Sequence, residues 1–215
     1  MRWRERSSGT AAMDTSTETL TIVTATGFEA AAIGRAVPGV RVVRGGVGLV
    51  QARAERYDVV VSCGLAGGLR ADLPTGTIVI PHEVETDNGE RISCDPHLNA
   101  ALVAAATQLG HGLSQEKLLT SAALVIGTSR SLWAQRGFVA ADMETGFVSA
   151  RRIAALRIIL DTPRYELSPL WLKPASVVIR PWLWSQGLWL SREGARCMRI
   201  VSDVLKLALP QLIAQ

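Results

Sequence analysis

The sequence predicts an α/β fold, a three-layer α/β/α sandwich around a central mixed, mostly parallel sheet, and three observations carry that prediction. Short apolar, β-rich runs alternate with Ala-rich or amphipathic stretches across residues 20–160, the pattern of strand–helix–strand units whose strands lie parallel. One run, Val59-Val60-Val61, has no polar alternation, as a central strand covered on both faces requires. The chain of 215 residues, 48% hydrophobic and 20% charged, is long enough to bury one sizeable core and short for two.

Each element follows from its residues. Residues 1–18 are polar, rich in Ser and Thr and without period, and read as a disordered leader, which leaves 19–215 as a single domain. Leu20 to Thr26 is a strand that ends at Gly27, and Phe28 to Ile33 opens an Ala-rich helix. Val40 to Val43 is a short strand, followed by Gly45-Gly46-Val47-Gly48 and a helical stretch from Leu49 to Arg56. Tyr57 to Ser62 is the central strand. It is expected to stop abruptly at Cys63–Leu69, where Gly64, Gly67 and Gly68 mark backbone that bends or lets a ligand come close. Thr75 to Ile80 is a strand, Leu98 to Leu109 an amphipathic helix, and Lys117 to Ile126 holds a further strand. Gly146 to Ala155 reads as helix, Leu156 to Leu160 as the last strand, closing on Asp161, and Arg192 to Leu209 as the final helix.

Composition excludes several classes of function. Cys63, Cys94 and Cys197 are odd in number and at no metal-like spacing, and His82, His97 and His111 form no close pair, so neither a disulfide framework nor a metal site is expected. No apolar run is long enough to span a bilayer, and the N-terminus lacks the apolar stretch of a signal peptide, so a cytoplasmic protein is expected. The net charge of +4 is uneven. Residues 1–150 carry 13 Lys+Arg against 15 Asp+Glu, whereas residues 151–215 carry 10 against 4. No helix-turn-helix, zinc-finger or RNP-like pattern accompanies the basic end, so nucleic acid is not the expected partner.

Ligands in open α/β sheets bind beyond the carboxyl ends of the strands. Four such ends are polar or Gly-rich here: Gly27–Glu29, Ser62–Gly68, Asp142–Glu144 and Asp161. Carboxylates without a metal set suit two tasks, accepting hydrogen bonds from hydroxyls and moving protons, and a sugar-bearing substrate needs both. Glu29 reads equally as a helix cap, and Asp161, followed by Thr162-Pro163, as a turn or cap.

These residues resemble a family. Val59–Leu69 followed by Gly76-Thr77-Ile78-Val79-Ile80 resembles the apolar strand, GxAGGL-like loop and "GDIVI" strand of the nucleoside phosphorylase and nucleosidase superfamily. Ala140-Ala141-Asp142-Met143-Glu144-Thr145-Gly146 is similar to its "VDMEG" signature, Leu156–Asp161 to its "ISD" strand end, and Thr24–Glu29 to the nucleosidase "GAMEEE" segment. The resemblance implies that Glu144, with Met143, lies against the ribose and accepts from its 2′- and 3′-hydroxyls. It implies that Asp161 is the general acid at N7 of a purine, that Glu29 deprotonates the attacking water, and that Ser62, Gly64, Ala66, Gly67 and Leu124 line the substrate. It implies no metal or organic cofactor, leaves open whether water or phosphate is the co-substrate, and implies a homo-oligomer.

Three departures qualify the resemblance. The arginines that hold phosphate in the family's phosphorylases are absent from Gly27–Ala31 and from Val59, with Ser62, Arg44 and Arg70 the remaining anion candidates, and Leu124 stands where a base-stacking phenylalanine is common. Residues 163–191 bring Trp171, Trp182, Trp184 and Trp189 into a basic tail, either as packing residues or as a lip for an apolar ligand at a membrane interface. Such tails resemble the hopanoid-associated phosphorylases, which release adenine from a nucleoside carrying a polycyclic lipid at its 5′ carbon. The expected reaction is therefore N-glycosidic cleavage of an adenine nucleoside with a bulky apolar 5′ group. A methylthioadenosine/S-adenosylhomocysteine-type nucleosidase and a non-catalytic nucleoside-binding module are the alternatives.

Overall fold

The computed structural model describes residues 18–47, 55–172 and 184–214. Among these residues ten strands form one mixed sheet. They are β1 (Leu20–Thr24), β2 (Arg41–Arg44), β3 (Arg56–Gly68), β4 (Ile78–Val79), β5 (Glu83–Thr86), β6 (Arg91–Ser93), β7 (Leu113–Ser114), β8 (Lys117–Thr120), β9 (Phe138–Asp142) and β10 (Ser149–Asp161). Helices α1 (Gly27–Ala36), α2 (Pro96–Gln108), α3 (Thr128–Gln135) and α4 (Trp184–Ile213) connect and cover them. The order is β6-β5-β8-β9-β3-β10-β4-β7, with β1 lying between β2 and the first half of β3. Six pairings are parallel and three antiparallel, so the expectation of a mixed, mostly parallel sheet holds.

Two sequence expectations are corrected, and both corrections lie on the long central strands. Residues 149–155 are strand, not helix. Ser149-Ala150-Arg151-Arg152 has good helix propensity, but β10 pairs in parallel with β3 from Ser149↔Arg56 onward, and that pairing overrides propensity. Only Thr145–Phe147 is helical there, as a single 3-10 turn. Nor does β3 stop at Ser62: it continues through Gly64 and Gly67 to Gly68, paired with β10 and β9, so the glycine-rich stretch is strand rather than loop. Smaller differences are a last helix that begins at Trp184 and a strand from Lys117 that ends at Thr120. The helix read at Leu49–Arg56 lies largely outside the described residues, as do positions 1–17 of the leader. Glu18 is ordered and pairs with Arg152 at 3.2 Å.

Alternation along β3 and β10 decides which side of the sheet does what. Val59, Val61 and Cys63 on β3, with Ala154, Leu156, Ile158 and Leu160 on β10, join the main core beneath α1, α2 and α4. Fully burying each Leu or Ile of that core is worth roughly 1.5–3 kcal/mol. The intervening residues face the other side, where Val60, Ala66, Ile153, Ala155 and Ile159 form two smaller clusters. On that second side stand Ser62, Gly64 and Arg157, and there the apolar packing is interrupted by polar groups.

Candidate active site

The first carboxylate comes from the β1–α1 turn. Thr26 caps α1 and Glu29 sits three residues on, completing a capping box: Glu29 N–H donates to Thr26 Oγ1 (3.2 Å), and Thr26 N–H and Oγ1–H donate to Glu29 Oε2 (2.8 and 2.9 Å). The cap does not exhaust the side chain. Oε1 turns the other way and accepts from Leu65 N–H on β3 at 3.0 Å. Glu29 is thus both a cap and a buried carboxylate held against the sheet, so its two sequence readings are compatible.

The centre of the site is a residue the motif reading passed over. Arg157, fully buried on β10, donates from Nε to Asp142 Oδ2 and from Nη2 to Ser62 Oγ and Thr145 Oγ1, each at 2.8 Å. Glu144 Oε2 lies 3.8 Å from Nη2. Burial disfavours its charge, but the carboxylates of Asp142, Glu144 and Glu29 together outweigh this and raise its pKa. A signal was present in the sequence: an arginine inside Leu156–Leu160, an otherwise apolar strand, is a buried charge that must find carboxylates.

Gly64 explains how the groups converge. A Cβ there would lie 2.5 Å from Glu29 Oε1 and 2.7 Å from Arg157 Nη1. Arg157 Nη1 has no hydrogen-bond partner among the described residues although it is buried. A carboxylate oxygen and an unpartnered guanidinium N–H therefore border the same point on the sheet. Glu144 follows β9, with Met143 N–H donating to its Oε2 at 3.2 Å. Burial pushes its pKa up to about 7; Arg157 opposes the rise, and the nearby carboxylates of Asp142 and Glu29 add to it. Asp142 anchors the turn, accepting from Thr120 Oγ1 (2.6 Å) and from Thr145 N–H (3.2 Å).

Asp161 forms a second cluster at the end of β10, after a register shift between Ile159 and Asp161 that re-aims the strand. Its carboxylate is ion-paired with Arg130 Nη2 of α3 and accepts from Leu167 N–H at 3.4 Å. Arg130, also buried, donates to the Gly68 carbonyl at 2.7 Å and sits with Nε 2.7 Å from Glu166 Oε1. Gly67 borders this pair, its Cβ position 3.3 Å from Asp161 Oδ1.

Glu29, Ser62, Gly64 and Glu144 are therefore brought together around Arg157, and Asp161 and Gly67 around Arg130. Ala66 packs in a hydrophobic cluster with Val79 and Ile159. Met143 is half-buried beside Glu144. Leu124 is half-buried on the segment between β8 and α3, outside the four hydrophobic clusters. Of the anion candidates, Arg44 lies over Gly27, whose Cβ position is 3.4 Å from its Nη1, whereas Arg70 is occupied by Asp72 and Glu116. A groove of about 730 Å³ runs between α1 and α4 and not over these carboxylates. Among the described residues no cluster of His, Cys, Asp and Glu could hold a metal ion. No helix among them is long and apolar enough to cross a membrane.

Comparison with solved structures concerns the fold: this chain is folded like several solved nucleosidases. The chain is similar to a 5′-methylthioadenosine/S-adenosylhomocysteine nucleosidase from Neisseria meningitidis, solved with methylthio-immucillin-A (TM-score 0.68, 14% identity, covering 89% of this chain and 98% of that one). It is similar to a nucleosidase of the same description from Borrelia burgdorferi bound to adenine (TM-score 0.69, 12% identity, 89% and 99%) and to a futalosine hydrolase mutant of Helicobacter pylori (TM-score 0.64, 13% identity, 90% and 99%). No family model and no curated protein sequence matches the chain.

Proposed function

We propose that this protein cleaves the N-glycosidic bond of a purine nucleoside, with adenine as the base and a bulky apolar group at the 5′ carbon. The observation that carries the reading is the convergence of Glu29 Oε1 and the unpartnered Arg157 Nη1 over Gly64. An acceptor and a donor at one point suit a water that must be oriented and deprotonated as it attacks C1′. The C1′–N9 bond breaks through an oxocarbenium-like state, which the surrounding carboxylates stabilise electrostatically. Ionised Glu144 accepts from the ribose hydroxyls. The departing base takes a proton at N7 through Asp161, whose contact with Arg130 must loosen for that role. The named neighbours, solved with adenine or a nucleoside analogue, support a purine ligand.

The apolar 5′ group, as in adenosylhopane, is inferred from the tail. Trp184 is 58% exposed, while Trp189 packs half-buried against the core and the Tyr165 ring, with centroids 4.3 Å apart. Trp182 lies outside the described residues. We take the working state to be a cytoplasmic homo-oligomer in peripheral contact with the membrane. A second reading, a nucleoside-binding module without catalysis, is favoured by one observation: Asp161 is already engaged by Arg130 and Leu167.

The test is free adenine, measured by chromatography after incubation with a 5′-alkyl adenosine of long chain and with methylthioadenosine, each with and without phosphate. Adenine from the alkyl substrate, independent of phosphate and lost in Glu144→Ala, is the expected result. Release from methylthioadenosine alone favours the small-substrate nucleosidase. Binding of either compound without release favours the module and overturns the catalytic reading.

A further inference from the structure

We propose that the groove between α1 and α4, together with the exposed face of α4 that continues it, is a docking surface for an anionic lipid bilayer. This rests on the membrane contact inferred above and assigns its residues and its lipid chemistry.

The groove is lined by Phe28 and Arg35 of α1 and by Arg192, Arg199, Asp203 and Lys206 of α4. Four cations thus face one carboxylate, which stands 3.7 Å from Lys206 with both side chains about half exposed. Arg35, Arg192 and Arg199 have no carboxylate partner among the described residues, whereas Arg41, Arg70, Arg136, Arg152 and Arg196 are all paired. Cations left unpaired and gathered in one groove are a standing attraction for anions.

The helical phase of α4 joins this groove to apolar side chains. Trp184, Leu188, Ala195, Arg199, Ser202 and Lys206 recur at intervals of three, four or seven residues and so share one face. The opposite face carries Cys197, Val201, Val204 and Ala208 into the core. Trp184 and Leu188 are exposed, as is Phe28 on the facing wall of the groove. The stripe from Trp184 to Lys206 is about 33 Å long at 1.5 Å per residue, apolar at its start and cationic along the rest.

The occupant follows from that combination. A second copy docked through the same patch would set like charges against each other. A nucleic acid would satisfy the arginines but leave Leu188 and Phe28 without a partner. A bilayer takes both, with rings and alkyl groups at the acyl boundary and cations on lipid phosphates. Phe28 precedes Glu29, so the groove begins one residue from the candidate site, and a membrane-borne substrate would arrive beside it.

The experiment is flotation of the full chain with vesicles of phosphatidylcholine alone or with 30% phosphatidylglycerol, without nucleoside, so that its result is independent of catalysis. Binding to the anionic vesicles only, lost as salt rises, is expected, with roughly a fivefold loss of partitioning per cation removed. The variant R35Q/R192Q/R199Q should lose it by about a hundredfold, and Trp184→Ser with Leu188→Ser should weaken it at constant charge. All five positions are solvent-facing, and far-UV circular dichroism with an unchanged Tm reports that the variants remain folded. Equal binding to both vesicle types, full retention by the triple variant, or displacement from vesicles by a short DNA duplex at equal phosphate would each overturn the proposal. Absence of base release with intact vesicle binding would sink the enzymatic reading and leave this one standing.

Discussion

Two buried arginines lie at the same end of the sheet, and they differ in what surrounds them. Arg157 stands among Asp142, Glu144 and Glu29, more carboxylates than one guanidinium can neutralise, and still keeps an unpartnered N–H. Arg130 lies between Asp161 and Glu166 and caps the Gly68 carbonyl. The first cluster has unused hydrogen-bonding capacity directed at one point, the mark of a site shaped for a ligand. In the second the guanidinium is enclosed by Asp161, Glu166 and the Gly68 carbonyl, its Nε 2.7 Å from Glu166 without an aligned hydrogen bond, and a ligand must displace something to use it. Burial sharpens the contrast: the Asp142 side chain is inaccessible, whereas that of Glu166 is 33% exposed.

Removing the two guanidiniums should therefore have unequal consequences. Arg157→Met strands three carboxylates that cannot rehydrate, and loss of one partner from a buried ion pair costs about 3–5 kcal/mol. Arg130→Met leaves Glu166 free to turn to water and should cost clearly less. Urea unfolding of both variants at neutral pH tests this; equal losses would show that the two clusters are built alike.

The glycines beneath the two clusters give the next largest difference. Gly64→Ala places a methyl 2.5 Å from Glu29 Oε1 and must push Glu29 and Arg157 apart. A displacement of about 1 Å costs on the order of 100-fold in rate, so base release should fall by about that factor. At Gly67 the nearest atom is 3.3 Å away, and a shift of tenths of an ångström accommodates alanine. Comparable rates for the two variants would mean that the first cluster does not hold the reacting groups.

Glu144 separates the clusters by pH. Its folded pKa of about 7 exceeds the ordinary value of 4.5. The folded state thus binds a proton that the unfolded state has released. Its contribution is fully present below about pH 4.5, and stability falls as pH rises to about 7. Glu144→Gln should flatten the dependence of Tm on pH in that window. Catalysis has the opposite sign, because the carboxylate must be ionised to accept from the ribose hydroxyls. kcat/KM should climb through about pH 7 in the wild type, and a rate already flat from pH 5 upward would count against that role.

The sequence showed an alternation of strands and helices and pointed to carboxylates that the structure gathers around two buried arginines, but not how the parts are joined. Strand and helix alternation was legible at β1, α1, β2, β4, α2 and β8, which are bounded by turn residues, whereas the short strands β5, β6 and β7 carry too few residues to show a period. The longest strands misled in two ways. Ser149–Ala155 is helix-prone locally and becomes strand only through its pairing with β3. Gly64, Gly67 and Gly68 read as a bend, yet their missing side chains serve an extended strand over which Glu29, Arg157 and Asp161 close. Arg130 escaped notice because Thr128–Gln135 carries no motif, and its partners are 31 and 36 residues away in sequence.

The smallest expected effect concerns Glu29, whose capping role leaves Oε1 turned toward the sheet. Thr26→Ala removes the hydroxyl that both accepts from Glu29 N–H and donates to its carboxylate, and loss of such a cap costs typically about 1 kcal/mol. If Glu29 serves only the cap, stability should drop by that amount with no change in base release. Oε1, however, is held by Leu65 N–H and faces Arg157, so loosening Oε2 should also free the carboxylate to rotate away from the attacking water. A modest stability loss accompanied by a several-fold fall in kcat at unchanged KM is therefore expected. The same stability loss with kcat intact would return Glu29 to a purely structural role and move the search for the base to the other carboxylates around Arg157.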